Sequence, residues 1–94
     1  SKKYTPAAPT ITRLSNTSKG VSVTWNKIAG VYGYRLYRKY DGGSWTKVKD
    51  TTSTSFTDSG AKQGKKVTYT VRCIDRKGKT VSGFNSKGWS ITRK

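Results

Sequence analysis

Lys66-Val67-Thr68-Tyr69-Thr70-Val71-Arg72-Cys73-Ile74-Asp75 decides the fold. Val67, Tyr69, Val71 and Cys73 alternate with Thr68, Thr70, Arg72 and Ile74, and this period of two predicts an extended strand with one buried face. The pattern recurs upstream at residues 21–26, where Val21, Val23 and Trp25 face one way and Ser22, Thr24 and Asn26 the other. It recurs again at 34–40, with Tyr34 and Leu36 inward and Arg35, Tyr37 and Lys39 outward. Asp41-Gly42-Gly43 follows as a hairpin turn, because Asp and Gly tolerate the positive φ that such turns need. A fourth strand is expected at 44–49, holding Trp45 and Val48.

Shorter strands are expected at 10–15, around Phe56, and at 79–84, the last interrupted near 85–88 and resuming through 89–92. Turn residues separate them at 16–20, 28–33, 58–65 and 76–78. Seven strand segments and no helix result, the spacing of an all-β sandwich or barrel. Pro6 and Pro9 cannot donate to a ladder, so residues 1–8 read as a linker or tail and 9–94 as the domain.

The chain has 94 residues, enough for one domain. Its polar ends and the absence of Met lead us to expect a segment of a longer polypeptide. No apolar leader opens it, and no apolar run approaches the ~20 residues of a membrane span. Cys73 is alone, so no internal disulfide forms, and a lone Cys in a β module behaves as a small buried apolar residue.

Lys and Arg total 20 against 4 acids, a net charge of +16. A field of that sign attracts polyanions such as anionic polysaccharide, nucleic acid or anionic lipid. It is equally the charge of a solvated, self-repelling surface.

Catalytic chemistry is poorly supplied. His and Glu are absent, so the commonest general acids and bases are missing. The acids Asp41, Asp50, Asp58 and Asp75 fall in turns or at strand ends, where Asp bonds its own backbone. Cys73 has no His to activate it, and no metal-ligand cluster or phosphate-cradling glycine motif is present. No enzyme activity, metal or cofactor is expected.

The ordered strand motifs resemble the fibronectin type III family. Val21-x-Val23-x-Trp25 resembles its second strand and Gly33-Tyr34-Arg35-Leu36-Tyr37-Arg38 its third. Gly42-Gly43-Ser44-Trp45 with the run from Thr51 to Gly60 resembles its fourth strand, linker and fifth strand. The run from Gly64 to Cys73 resembles its sixth. The resemblance covers nearly the whole chain and implies a seven-stranded antiparallel immunoglobulin-like sandwich of two sheets.

Two departures stand out. Val67 occupies the place where the family usually has a Tyr that ties its strand to the preceding corner, so Tyr69 is expected to pack only. Cys73 stands where Ala is common. The last hairpin reads Asp75-Arg76-Lys77-Gly78-Lys79, without the Arg-Gly-Asp loop of some animal members, so integrin binding does not transfer.

The resemblance implies a bacterial module, secreted or on the cell surface, that spaces or presents the neighbouring domains of its parent chain. A monomer and no specific nucleic-acid partner are expected. The second reading is a polyanion- or carbohydrate-binding module. Its candidate ligand face is Arg35, Tyr37, Lys39, Lys47, Lys49 and Arg72, outward on adjacent strands, and its partners would be anionic glycans or cell-wall polymers. Trp25, Tyr34, Leu36, Tyr69 and Val71 are core candidates. Trp45 and Trp89 lie beside turns, where they cover the core edge or face solvent.

Overall fold

The computed structural model describes residues 6–94. Among them the alternating stretches form β1 (Ile11–Thr17), β2 (Gly20–Trp25), β3 (Gly33–Tyr40), β4 (Thr46–Thr51), β5 (Ser55–Asp58), β6 (Lys66–Ile74) and β7 (Trp89–Thr92). One sheet runs β1-β2-β5 and the other β4-β3-β6-β7. All pairings are antiparallel, which gives the two-sheet sandwich that the sequence predicts.

The inward set of each alternating strand makes the core. Val21, Val23 and Trp25 of β2 meet Tyr34 and Leu36 of β3 and Val67, Tyr69, Val71 and Cys73 of β6, all buried. Burial of each large apolar side chain stabilises the fold by roughly 1.5–3 kcal/mol. Trp25 and Tyr34 meet edge to face, ring centroids 5.9 Å apart. The Tyr34 hydroxyl accepts the Ile28 N–H at 3.0 Å and so pins the loop between β2 and β3.

The expectation for Tyr69 is corrected. Its hydroxyl donates to Asp58 Oδ2 at 2.8 Å, tying β6 to the end of β5. Residue 69 lies on the same inner face as 67, and the Asp58 carboxylate turns inward to meet it. Arg38 Nη1 donates to both Asp58 oxygens at 2.9 Å, and the Gly60 N–H donates to Oδ1 at 3.0 Å. The Asp58 side chain is 3% exposed, so this is a buried, paired and hydrogen-bonded charge.

Burial, followed by the bond to Asp58, pushes the Tyr69 phenol far above its usual value of 10.0. Burial likewise pushes the Cys73 thiol above 9.0. A raised folded-state value means that the folded protein holds the proton more tightly than the unfolded chain. That stability is complete below the unfolded value and is lost as pH rises above it. We therefore expect the urea midpoint to hold level to about pH 9 and to fall beyond it, with a smaller fall above pH 10 in Tyr69→Phe. The Cys73 thiol should react with a thiol reagent only as fast as the fold opens. Rapid labelling of the native protein would contradict its burial.

The last strand differs from its expected course. Within 79–84 only Thr80 bridges, to Ile74. Side chains then take over from the ladder: the Cys73 N–H donates to Ser82 Oγ at 2.9 Å and Thr70 Oγ1 donates to the Asn85 carbonyl at 2.8 Å. Asn85 Oδ1 accepts the N–H groups of Lys87 and Gly88, closing a turn, and Gly88 has φ +65°. Residues 83–88 therefore fold beside the sheet's outer face, and β7 begins only at Trp89.

Other boundaries shift by one or two residues. β4 starts at Thr46, so Trp45 precedes it, and β1 continues through Thr17, whose hydroxyl accepts the Lys19 and Gly20 N–H groups. Pro6 is buried, and the Cys73 thiol reaches the Ala7 carbonyl at 3.7 Å, so residues 6–8 lie against the domain. Residues 1–5 of the expected linker lie outside the described residues.

Candidate functional site

The outer face of the four-stranded sheet carries the alternating polar set. Register places Arg35 opposite Arg72, Tyr37 opposite Thr70 and Lys39 opposite Thr68, and it sets Lys47 beside Tyr37. Like charges directly opposite are destabilising, so Arg35 and Arg72 each need a counterweight.

Arg35 finds one in Asp50, Nε to Oδ1 at 2.6 Å and Nη2 to Oδ2 at 3.0 Å, the fork geometry suited to a carboxylate. Nη2 also donates to the Gly78 carbonyl. The Arg35 hydrogen bond holds the Asp50 carboxyl below its usual 3.8, and the carboxylate in turn raises Arg35. Lys47 Nζ lies 3.6 Å from the same carboxylate. Arg35 is thus committed within the protein, whereas Lys47 stays largely exposed beside the same carboxylate.

Lys49 leaves the face. A bulge between Leu36 and Tyr37 sets Lys49 opposite inward-facing Leu36, and its Nζ sits 6.0 Å above the Phe56 ring of the other sheet. The bulge adds a residue to β4, so simple alternation assigns Lys49 to the wrong side.

Arg72 donates through Nε and Nη2 to the Ser82 carbonyl, at 3.1 and 3.0 Å. Its guanidinium also lies 5.3 Å from the Phe84 ring centroid. Phe84 thereby joins Tyr37, at 6.4 Å between centroids, and Trp45, edge to face at 6.1 Å. Tyr37, Trp45, Phe84 and Arg72 line a small, mostly apolar pocket of about 130 Å³. Lys39 Nζ stands 4.9 Å from the Trp45 ring, within cation–π range.

The structure therefore brings Tyr37, Lys39 and Arg72 together and adds Trp45 and Phe84. Alternation hides Phe84 by reading it as a strand residue. The run Ser82-Gly83-Phe84-Asn85-Ser86-Lys87-Gly88, loop formers around one aromatic, is the signal that marks it. Trp89 packs against the core, away from this cluster.

These groups can hold a ligand by ring contact and positive charge. Three of the four acids are occupied with structure: Asp50 with Arg35, Asp58 with Arg38 and Tyr69, and Asp75 with the N–H groups of Lys77 and Lys79, while Asp41 is exposed in the turn after β3. Among the described residues no group of three or more His, Cys, Asp or Glu gathers to hold a metal. No helix there is long and apolar enough to cross a membrane.

The structure superimposes on an Fn3-like protein from Clostridium thermocellum with TM-score 0.69 and 30% identity, over 86% of this chain and 90% of that one. The chain belongs to the fibronectin type III family. No family model matches it. Two further relatives of this fibronectin type III domain are a poly(3-hydroxybutyrate) depolymerase of Ralstonia pickettii, 37% identical over 70 residues, and exoglucanase B of Cellulomonas fimi, 34% identical over 76. These matches take in 73% and 74% of this chain but only 13% and 6% of the two enzymes. The domain is thus similar to small parts of much longer bacterial proteins.

Proposed function

We propose that this fibronectin type III domain is a non-catalytic spacer or accessory module of a secreted or cell-surface multidomain bacterial protein. The observation that carries this reading is proportion: the matched segments are 13% and 6% of two enzymes named for acting on polymers. The engagement of Asp50, Asp58 and Asp75 in ion pairs and turns supports it. A closed sandwich with a dense core sets a fixed distance between whatever it joins.

The test is replacement within the parent polypeptide. An unrelated β-sandwich of similar length in place of residues 9–94 should leave turnover on a soluble substrate unchanged. Loss of that turnover would mean that the domain contributes to the chemistry.

A second reading, binding of a polyanion or carbohydrate, is favoured by one feature. The outer face is a cluster of Tyr37, Trp45 and Phe84 flanked by Lys39 and Arg72, not merely a charged surface.

A further inference from the structure

We propose that the cradle of Tyr37, Trp45 and Phe84, with Lys39 and Arg72 at its sides, binds one acidic pyranoside unit of a polysaccharide. The ligand chemistry is a sugar ring that bears a carboxylate or a sulfate. The inference rests on the accessory reading above, because a bound polymer would position the neighbouring domains and would not react.

Phe84 is one of two large hydrophobic residues exposed among the described ones, at 37%. Arg72, on β6, places its guanidinium 5.3 Å from the ring centroid, and Tyr37 and Trp45 border the ring, which keeps part of its surface in solvent. The loop that presents it is fixed, by Asn85 bonds to Lys87 and Gly88 and by Thr70 to the Asn85 carbonyl. A ring held out in advance loses little conformational freedom on binding. The C–H face of a pyranose is the complement of such a ring, as an apolar surface with a few convergent polar groups is of small ligands generally.

Charge supplies the second element. Lys39 stands beside the rings with no ion pair among the described residues, unlike Arg35 and Arg38. Arg72 spends Nε and Nη2 on Ser82, and among the described residues no hydrogen bond engages its Nη1. No carboxylate lines the pocket. Two cations beside a partly exposed aromatic cluster, with a pocket of about 130 Å³, suit a single charged sugar unit. Single-stranded nucleic acid instead needs a series of stacking rings along a basic groove.

The experiment titrates the 94-residue chain with tetragalacturonate, a heparin tetrasaccharide, cellotetraose and a short oligothymidine, read by nuclear magnetic resonance shifts of Trp45 and Phe84. Saturable shifts with an acidic sugar and none with cellotetraose are expected, and the sugar that binds identifies carboxylate or sulfate as the group read. Phe84→Ala should weaken binding roughly tenfold. Phe84→Leu, which keeps apolar cover without a flat ring, should do the same if the alanine variant folds poorly. Lys39→Ser should weaken binding and flatten its salt dependence. The Lys27→Ser/Lys77→Ser pair, in loops at the other end of the strands, should bind as the parent does.

The proposal is overturned if neither acidic sugar saturates, if the distant lysine pair matters as much as Lys39, or if oligothymidine binds more tightly than both sugars. Module replacement tests the spacer reading separately, so the two can fail independently.

Discussion

Asp58→Ala should bring the domain close to unfolding. Asp58 receives the Tyr69 hydroxyl, the Arg38 guanidinium and the Gly60 N–H at once, and its side chain is 3% exposed. Removal of one partner of a buried ion pair leaves the other charge uncompensated, at a cost of about 3–5 kcal/mol. Small domains have only ~5–15 kcal/mol of stability in total. The expected drop in melting temperature is on the order of 20 °C. Urea and thermal unfolding measure it directly, with exposed Asp41→Ala as the variant that should change little. Tyr69→Phe, which keeps Arg38 paired, should cost less, about 1–3 kcal/mol. If Asp58→Ala lost under ~1 kcal/mol, the cluster would not be a fastening of the corner.

The second large effect is expected from Gly88→Ala. A Cβ there would lie 2.6 Å from Thr68 Cγ2, 2.7 Å from the Tyr69 carbonyl oxygen and 3.0 Å from Trp45 Cη2, on a backbone with φ +65°. The carbonyl belongs to the β6 ladder and has little room to yield. Crowding and left-handed strain together should destabilise the fold by roughly 2–4 kcal/mol. The same change lifts the loop that carries Phe84, so the Phe84 and Trp45 ring signals should move toward solvent-exposed values. Gly83→Ala is the internal comparison, since a Cβ there meets nothing within 4 Å and φ is not in the left-handed region. Equal losses in the two variants would mean that only loop entropy is at work.

Most of the fold was legible in the sequence because the core strands obey one rule. Val21, Val23 and Trp25, Tyr34 and Leu36, and Val67, Tyr69, Val71 and Cys73 are inward by simple alternation, and all are buried. The rule fails where backbone geometry departs from period two. Lys49 is displaced by the bulge in β4, and Phe84 is lifted by a loop that Gly88 and Asn85 shape. The Tyr69–Asp58 tie was invisible for another reason. It joins two strands through a corner, and no local pattern states that a turn Asp points inward. Half of the candidate face was legible as positions, whereas its chemistry depended on which arginine had a carboxylate. Arg35 has Asp50, and Arg72 has a ring and a carbonyl.

The bulge in β4 has a consequence beyond the site. β4 is an outer strand of its sheet, so one row of its backbone N–H and C=O groups has no strand beside it. A flat, apolar strand in that place would be a template for another copy of the domain. Here the strand is interrupted between its pairings to Leu36 and Tyr37, and it carries Lys47 and Lys49, with Lys47 57% exposed at its side chain. Two domains approaching edge to edge would oppose lysine to lysine and lose register at the bulge. The β4 edge therefore opposes edge-to-edge pairing with another copy of the domain, even where copies are held at high local concentration.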